Sequence, residues 1–121
     1  MIRIFTPAVL LRLEGATVFG VALALYLDAG FSVPAFLLLV LVPDLSMVPY
    51  LFGRRIGAIS YNLGHLEAWP LILGAVGAIE GEPTLVQVAL IWLAHIGIDR
   101  AVGLGFKYEE ANFQDTHLGR V

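Results

Sequence analysis

Four apolar stretches, residues 7–27, 31–52, 56–79 and 84–106, take up most of this 121-residue chain. Each matches the length of a helix that crosses a hydrocarbon core about 30 Å thick, which takes about 20 residues. Inside such a core every backbone polar group must be paired within its own segment, so the stretches read as helices. The connections are short and polar: Asp28-Ala29-Gly30, Gly53-Arg54-Arg55 and Glu80-Gly81-Glu82-Pro83. The expectation is an all-α polytopic membrane protein, one domain over residues 1–121. It would be a four-transmembrane-helix bundle with a short cytoplasmic tail at residues 107–121. Composition agrees, with 59% hydrophobic and 14% charged residues where a soluble domain has roughly half and a quarter. A net charge of -3 without a basic cluster argues against a nucleic-acid partner. The chain has no cysteine, which excludes disulfides, thiolate nucleophiles and thiolate-bound metals. Any metal must bind nitrogen and oxygen, and no organic cofactor is indicated.

The first stretch is interrupted by Arg12 and Glu14 and then runs on too long for a secretory signal, so it reads as a retained helix. The second contains Pro43 and Pro49, and the third contains Pro70. A proline inside a helix frees the carbonyl four residues earlier, here Leu39 and Leu45 for the second stretch. In a membrane such carbonyls persist only where protein, polar side chains or water satisfy them. The second stretch should therefore face the bundle interior. Small residues recur at four-residue spacing: Ala16, Gly20 and Ala24, Gly53 and Gly57, and Ser60 and Gly64. They would allow close helix approach, and they are compatible with a homo-oligomer without specifying one.

Charge sets the orientation. Arg3, Arg12, Arg54, Arg55, Arg100, Lys107 and Arg120 all fall on or near one side of a four-span arrangement. The two opposite connections carry Asp28, Glu80 and Glu82 and no basic residue. The positive-inside rule then places both termini and the Arg54-Arg55 connection in the cytoplasm.

Arg12, Glu14, Asp44, His65, Glu67, His95 and Asp99 lie within the stretches, with Arg100 at the edge of the last. A charge at a helix centre costs about 2.5–3.5 kcal/mol on insertion scales, so such groups are expected to face inward and to pair. Counted from the Gly53-Arg54-Arg55 connection, Asp44 and His65 lie at similar depth, ~13–15 Å from the cytoplasmic surface at ~1.5 Å per residue. His95 and Asp99 approach the same end on the fourth helix. Being four apart they share a face, as do Asn62 and His65 at spacing three. Asp44, His65, His95 and Asp99 thus make a candidate metal set of two imidazoles and two carboxylates, suited to zinc, manganese or iron. The same residues also read as a polar core that joins the helices, and spacing alone ranks the two equally. Glu14 cannot face Arg12 and is expected to pair with Arg100. Glu67 is a candidate general base. Trp69 and Trp92 read as packing aromatics. The tail reads either as a plain cytoplasmic end or as a lid that brings Asp115 or His117 to the site.

Pro43-Asp44-Leu45-Ser46, Tyr61-Asn62-Leu63-Gly64-His65, Ala94-His95-Ile96-Gly97-Ile98-Asp99-Arg100 and Asp115-Thr116-His117-Leu118-Gly119 together resemble a family of small bacterial membrane proteins known only as a domain of unknown function. The likeness runs from about Leu11 to Arg120. It implies an inner-membrane protein and no stated activity. Asp44, His65, His95 and Asp99, with Gly103 following, also resemble the membrane-bound metal-dependent hydrolases of the YdjM-like group. Those carry a Pro-Asp-x-Asp step, where this chain has Ser46 in place of the second acid, and a central Arg-Gly-x-Thr-His-Ser pattern that it lacks.

The function expected is a cytoplasm-facing, metal-dependent hydrolase of a lipid-like or phosphoester substrate. Asp44, His65, His95 and Asp99 would bind the ion, and Glu67 or Asp115 would serve as general base. Arg100 would steady developing negative charge. The alternatives are a non-enzymatic membrane protein that binds or passes an ion or small solute, and a purely structural polar core.

Overall fold

A computed structural model describes residues 6–103. Among them the chain is helical throughout: α1 (Pro7–Asp28), α2 (Val33–Leu39), a 3-10 helix (Val42–Phe52), α3 (Arg54–Gly64), α4 (Ala68–Glu80) and α5 (Pro83–Ala101). Two of these, α1 and α5, are long and apolar enough to cross a membrane. The stretches expected as continuous spans at residues 31–52 and 56–79 are each broken into two shorter helices.

The breaks follow from local chemistry. Ser32 caps α2, its hydroxyl accepting from the Ala35 amide at 3.2 Å, and Pro34 suits the first turn. Four residues after Leu39 stands Pro43, which has no N–H to offer the Leu39 carbonyl and would clash with it. The α-helix stops at Leu39, and the chain resumes as a 3-10 helix that tolerates Pro49 within it. Pro70 acts likewise on the other stretch. A continuous helix would need its N–H bonded to Leu66, so α3 ends at Gly64 and α4 begins at Ala68. Pro70 then falls in the first turn of α4, where amides have no partner inside the helix.

α1 is capped by Thr6, whose hydroxyl accepts from the Val9 amide at 3.3 Å. The central packing is of α5 on α1 and on α4, while α3 packs on the 3-10 helix. At the α1–α5 crossing the backbones touch. A Cβ added at Gly97 would lie 2.5 Å from the Phe19 amide nitrogen, and one at Gly15 would lie 2.3 Å from the Arg100 Cβ. The expected stripe of Ala16, Gly20 and Ala24 plays no part in this contact: all three are exposed, and nothing stands within 4 Å of a Cβ built on Gly20. The residue one step along, Gly15, makes the approach instead.

Tyr26 anchors the far end of this interface. Its hydroxyl donates to the Ser32 carbonyl and accepts from Gln87 Nε2 at 3.1 Å, and its ring meets Phe31 and Phe36. Buried Ala22, Leu90, Ile91 and Ala94 complete that core. Outside it, large apolar side chains lie open, with Leu38 79% and Ile79 82% exposed. On the 22-residue α1 only Gly15, Ala22 and Tyr26 are buried.

Candidate metal centre

Both helix breaks deliver a polar side chain to the same point. Asp44 follows Pro43 in the first turn of the 3-10 helix. His65 is the residue at which α3 ends. His95 and Asp99 stand one turn apart on α5, as their spacing requires.

One ligand atom from each of the four residues lies within 4.8 Å of every other. His95 Nε2 is 3.0 Å from Asp44 Oδ1 and 3.2 Å from Asp99 Oδ2. His65 Nε2 is 3.5 Å from Asp44 Oδ1 and 3.1 Å from Asp99 Oδ2. The two Nε2 atoms are 3.0 Å apart. A tetrahedral ion with bonds of 2.0–2.1 Å has ligands separated by about 3.3–3.4 Å. Four of these five separations are slightly shorter than that value and one is longer, and the group could hold a metal ion.

The imidazoles are turned toward this point by backbone. His65 Nδ1 meets the Tyr61 carbonyl at 2.9 Å, and His95 Nδ1 meets the Val40 carbonyl at 2.5 Å. A carbonyl can only accept, so each Nδ1 carries the hydrogen and, in a neutral ring, each Nε2 presents a bare lone pair. Two lone pairs and two carboxylate oxygens therefore converge on one space. Such a set needs positive charge at its centre, supplied by protons or by a cation. The carbonyl contacts are the kind that fix the tautomer and orientation of metal-binding histidines.

Val40 can serve because of the break after α2: it is the helix's last turn that points a carbonyl at His95 rather than along a continuing helix. The Tyr61 ring stacks on the His65 ring, centroids 3.8 Å apart. Trp92 Nε1 donates to the Gly64 carbonyl at 2.6 Å, and Arg100 donates to the His65 carbonyl at 3.3 Å. Three groups from two helices thus hold the His65 corner. The Trp92 and Arg100 supports were not signalled by side-chain spacing, because their acceptors are backbone carbonyls.

Exposure is uneven. The imidazoles are 4% exposed and Asp99 18%, whereas the Asp44 side chain is 43% exposed. Among the four, Asp44 is the most open and the two imidazoles are the most enclosed.

Arg100 and Glu67 are not among the four grouped residues. With Glu14 they line a cavity of about 490 Å³ between α1 and the α3–α4 break. Glu14 and Arg100, expected to pair, thus share this cavity, and Arg100 reaches from it to the His65 backbone. Arg12 caps the end of α5, its Nε donating to the Ala101 carbonyl at 3.1 Å. Asp115 and His117 lie outside the described residues, as does the rest of the expected tail.

Fold and cluster together define an all-α protein with two membrane-length helices and a buried His/Asp group able to take a metal ion. The chain belongs to the family described as domain of unknown function (DUF4260), whose profile matches residues 8–121. No curated protein and no solved structure matches it. The expected likeness to YdjM-like hydrolases is not shown by these comparisons.

Proposed function

We propose that this chain is a membrane-embedded, metal-dependent hydrolase of a lipid-like or phosphoester substrate, with one divalent ion held by Asp44, His65, His95 and Asp99. The observation that carries the reading is the facing pair of imidazole Nε2 atoms, each with its Nδ1 tied to a carbonyl. Two protons could satisfy the same cluster; an ion is the reading taken here because two imidazole lone pairs and two carboxylate oxygens converge on one point. Zinc, manganese and iron all accept such nitrogen and oxygen donors.

Membrane embedding is supported by the lipid-length helices α1 and α5 and by the open apolar side chains of α1, α2 and α4. The two broken stretches complete four passes in this reading, with the irregular backbone of each break facing protein, as a bilayer demands. The basic residues place the termini on the cytoplasmic side.

A closed four-ligand site is structural, while a catalytic site keeps a position for water or substrate. Asp44 is the exposed ligand, so in this reading water or substrate would reach the ion from its side, as a fifth ligand or in exchange for Asp44. A bound ion would supply Lewis acidity and activate water at neutral pH. A general base must reach the attacking water; of the two expected candidates, Glu67 lines the separate cavity beside α1 and Asp115 lies outside the described residues. Arg100 holds the His65 backbone and adds positive charge beside the site.

Elemental analysis of protein purified in mild detergent tests the reading. The expected result is a near-stoichiometric first-row metal that disappears in His95→Ala. A metal-free preparation whose stability is unchanged by a chelator would overturn it.

A further inference from the structure

An apolar cavity of about 390 Å³ adjoins the ligand cluster. Pro43 and Gly64 line it, and they are the chain neighbours of ligands Asp44 and His65. Ile91 and Trp92 line it from the turn of α5 that precedes His95. Leu39 borders it beside Val40, the residue whose carbonyl orients His95. Polar ligands and apolar cavity are thus two ends of one structure, joined at three of its walls.

The order along α5 gives the cavity a direction. Asp99 and His95 lie toward the C-terminal end of the helix, whereas Trp92 stands at its middle and Val88 beyond that. From His95 to Val88 is seven residues, ~10 Å along the axis. In a helix that spans a bilayer, polar groups then lie nearer one face and the apolar cavity reaches toward the centre. A lipid is arranged in the same order, head outward and tail inward.

We propose that this cavity is the tail subsite of the centre, and that the substrate is a single-chain amphiphile with a phosphoester head. The tail lies against Leu39, Val88, Ile91 and Trp92, and the head reaches the ion on the open Asp44 side. The volume is near the lower end for small-molecule pockets, which suits one hydrocarbon chain rather than two. The proposal rests on the metal-centre reading for the head and on the cavity alone for the tail.

Trp92 makes the tail observable. The chain has two tryptophans, so in a Trp69→Phe background only Trp92 fluoresces. The protein is reconstituted in phosphatidylcholine vesicles, and an alkyl phosphate brominated near the end of its single chain is added in steps. The expected result is quenching that saturates at a low mole fraction. Butyl phosphate, which has the head without the tail, should not compete. Leu39→Phe and Val88→Phe, each made separately to fill the cavity, should lose the saturating component and retain metal. Phosphatidylcholine brominated on both chains should quench only in proportion to its mole fraction. Strictly proportional quenching by the alkyl phosphate in the unfilled protein, as for bulk lipid, overturns the tail subsite whatever the filled variants do. Metal content measured on the same samples keeps the two readings apart: saturating quenching without metal sustains the tail subsite and removes the centre.

Discussion

His65 and His95 present their Nε2 atoms to each other at 3.0 Å across thirty residues of chain, and each ring is held in that pose by a hydrogen bond from Nδ1 to a backbone carbonyl. Two neutral imidazoles so held repel unless something positive lies between them and the neighbouring carboxylates. The cluster should therefore couple folding to cation binding. With free zinc at about a hundredfold over its dissociation constant, binding to the folded chain alone adds about 2.7 kcal/mol. Thermal unfolding in detergent should show that gain for the parent chain, and His95→Ala should show none. An equal shift in both would place the bound zinc elsewhere.

Arg100 donates to the His65 carbonyl, not to a ligand nitrogen, in the bond that ties it to the centre. Removing a group that orients a ligand typically weakens metal affinity about 10- to 100-fold. Arg100→Gln should fall in that range by competition titration with a chromogenic chelator. The melting temperature of the metal-free form should change little. Unaltered affinity would show that Arg100 does not position His65.

The α1–α5 crossing makes a paired prediction. Gly97→Ala places a methyl 2.5 Å from the Phe19 backbone nitrogen, and backbone cannot move aside without separating the helices. Overpacking of this kind costs about 1–3 kcal/mol. Gly20→Ala meets nothing within 4 Å and should be neutral, or more stable by up to about 1 kcal/mol through helix propensity. Unfolding titrations in mixed micelles measure both. Equal effects at the two positions would contradict the crossing point.

A chain without cysteine is suited to single-cysteine topology mapping. In cells, Glu82→Cys in the α4–α5 connection should react with a membrane-impermeant maleimide from outside. Arg55→Cys, at the start of α3, should react only after the membrane is permeabilised. Labelling of both from the same side would refute the four-pass arrangement.

Residue chemistry and spacing alone were enough for the helical class, the helix start at Pro7 and the four candidate ligands. Each depends on a side chain's own properties or on neighbours within a turn, such as a proline's missing N–H or the shared face of His95 and Asp99. Pro43 and Pro70 also marked where the second and third stretches would be disturbed. Whether they would kink a helix or end it depended on what received the freed backbone groups.

That part belongs to the tertiary structure. The Val40 carbonyl is available to His95 only because α2 ends there and α5 passes alongside. The choice of Gly15 over Ala16, Gly20 and Ala24 is of the same kind. α1 has no separate apolar and polar faces, so its sequence marks neither side for packing, and small residues at either register would allow an approach. Only the docking of α5 selects one, because two backbones can come into contact solely where both helices lack a side chain at the crossing. The same docking brings His95 and Asp99 to the residues exposed by the two breaks, and so turns four separately readable side chains into one centre.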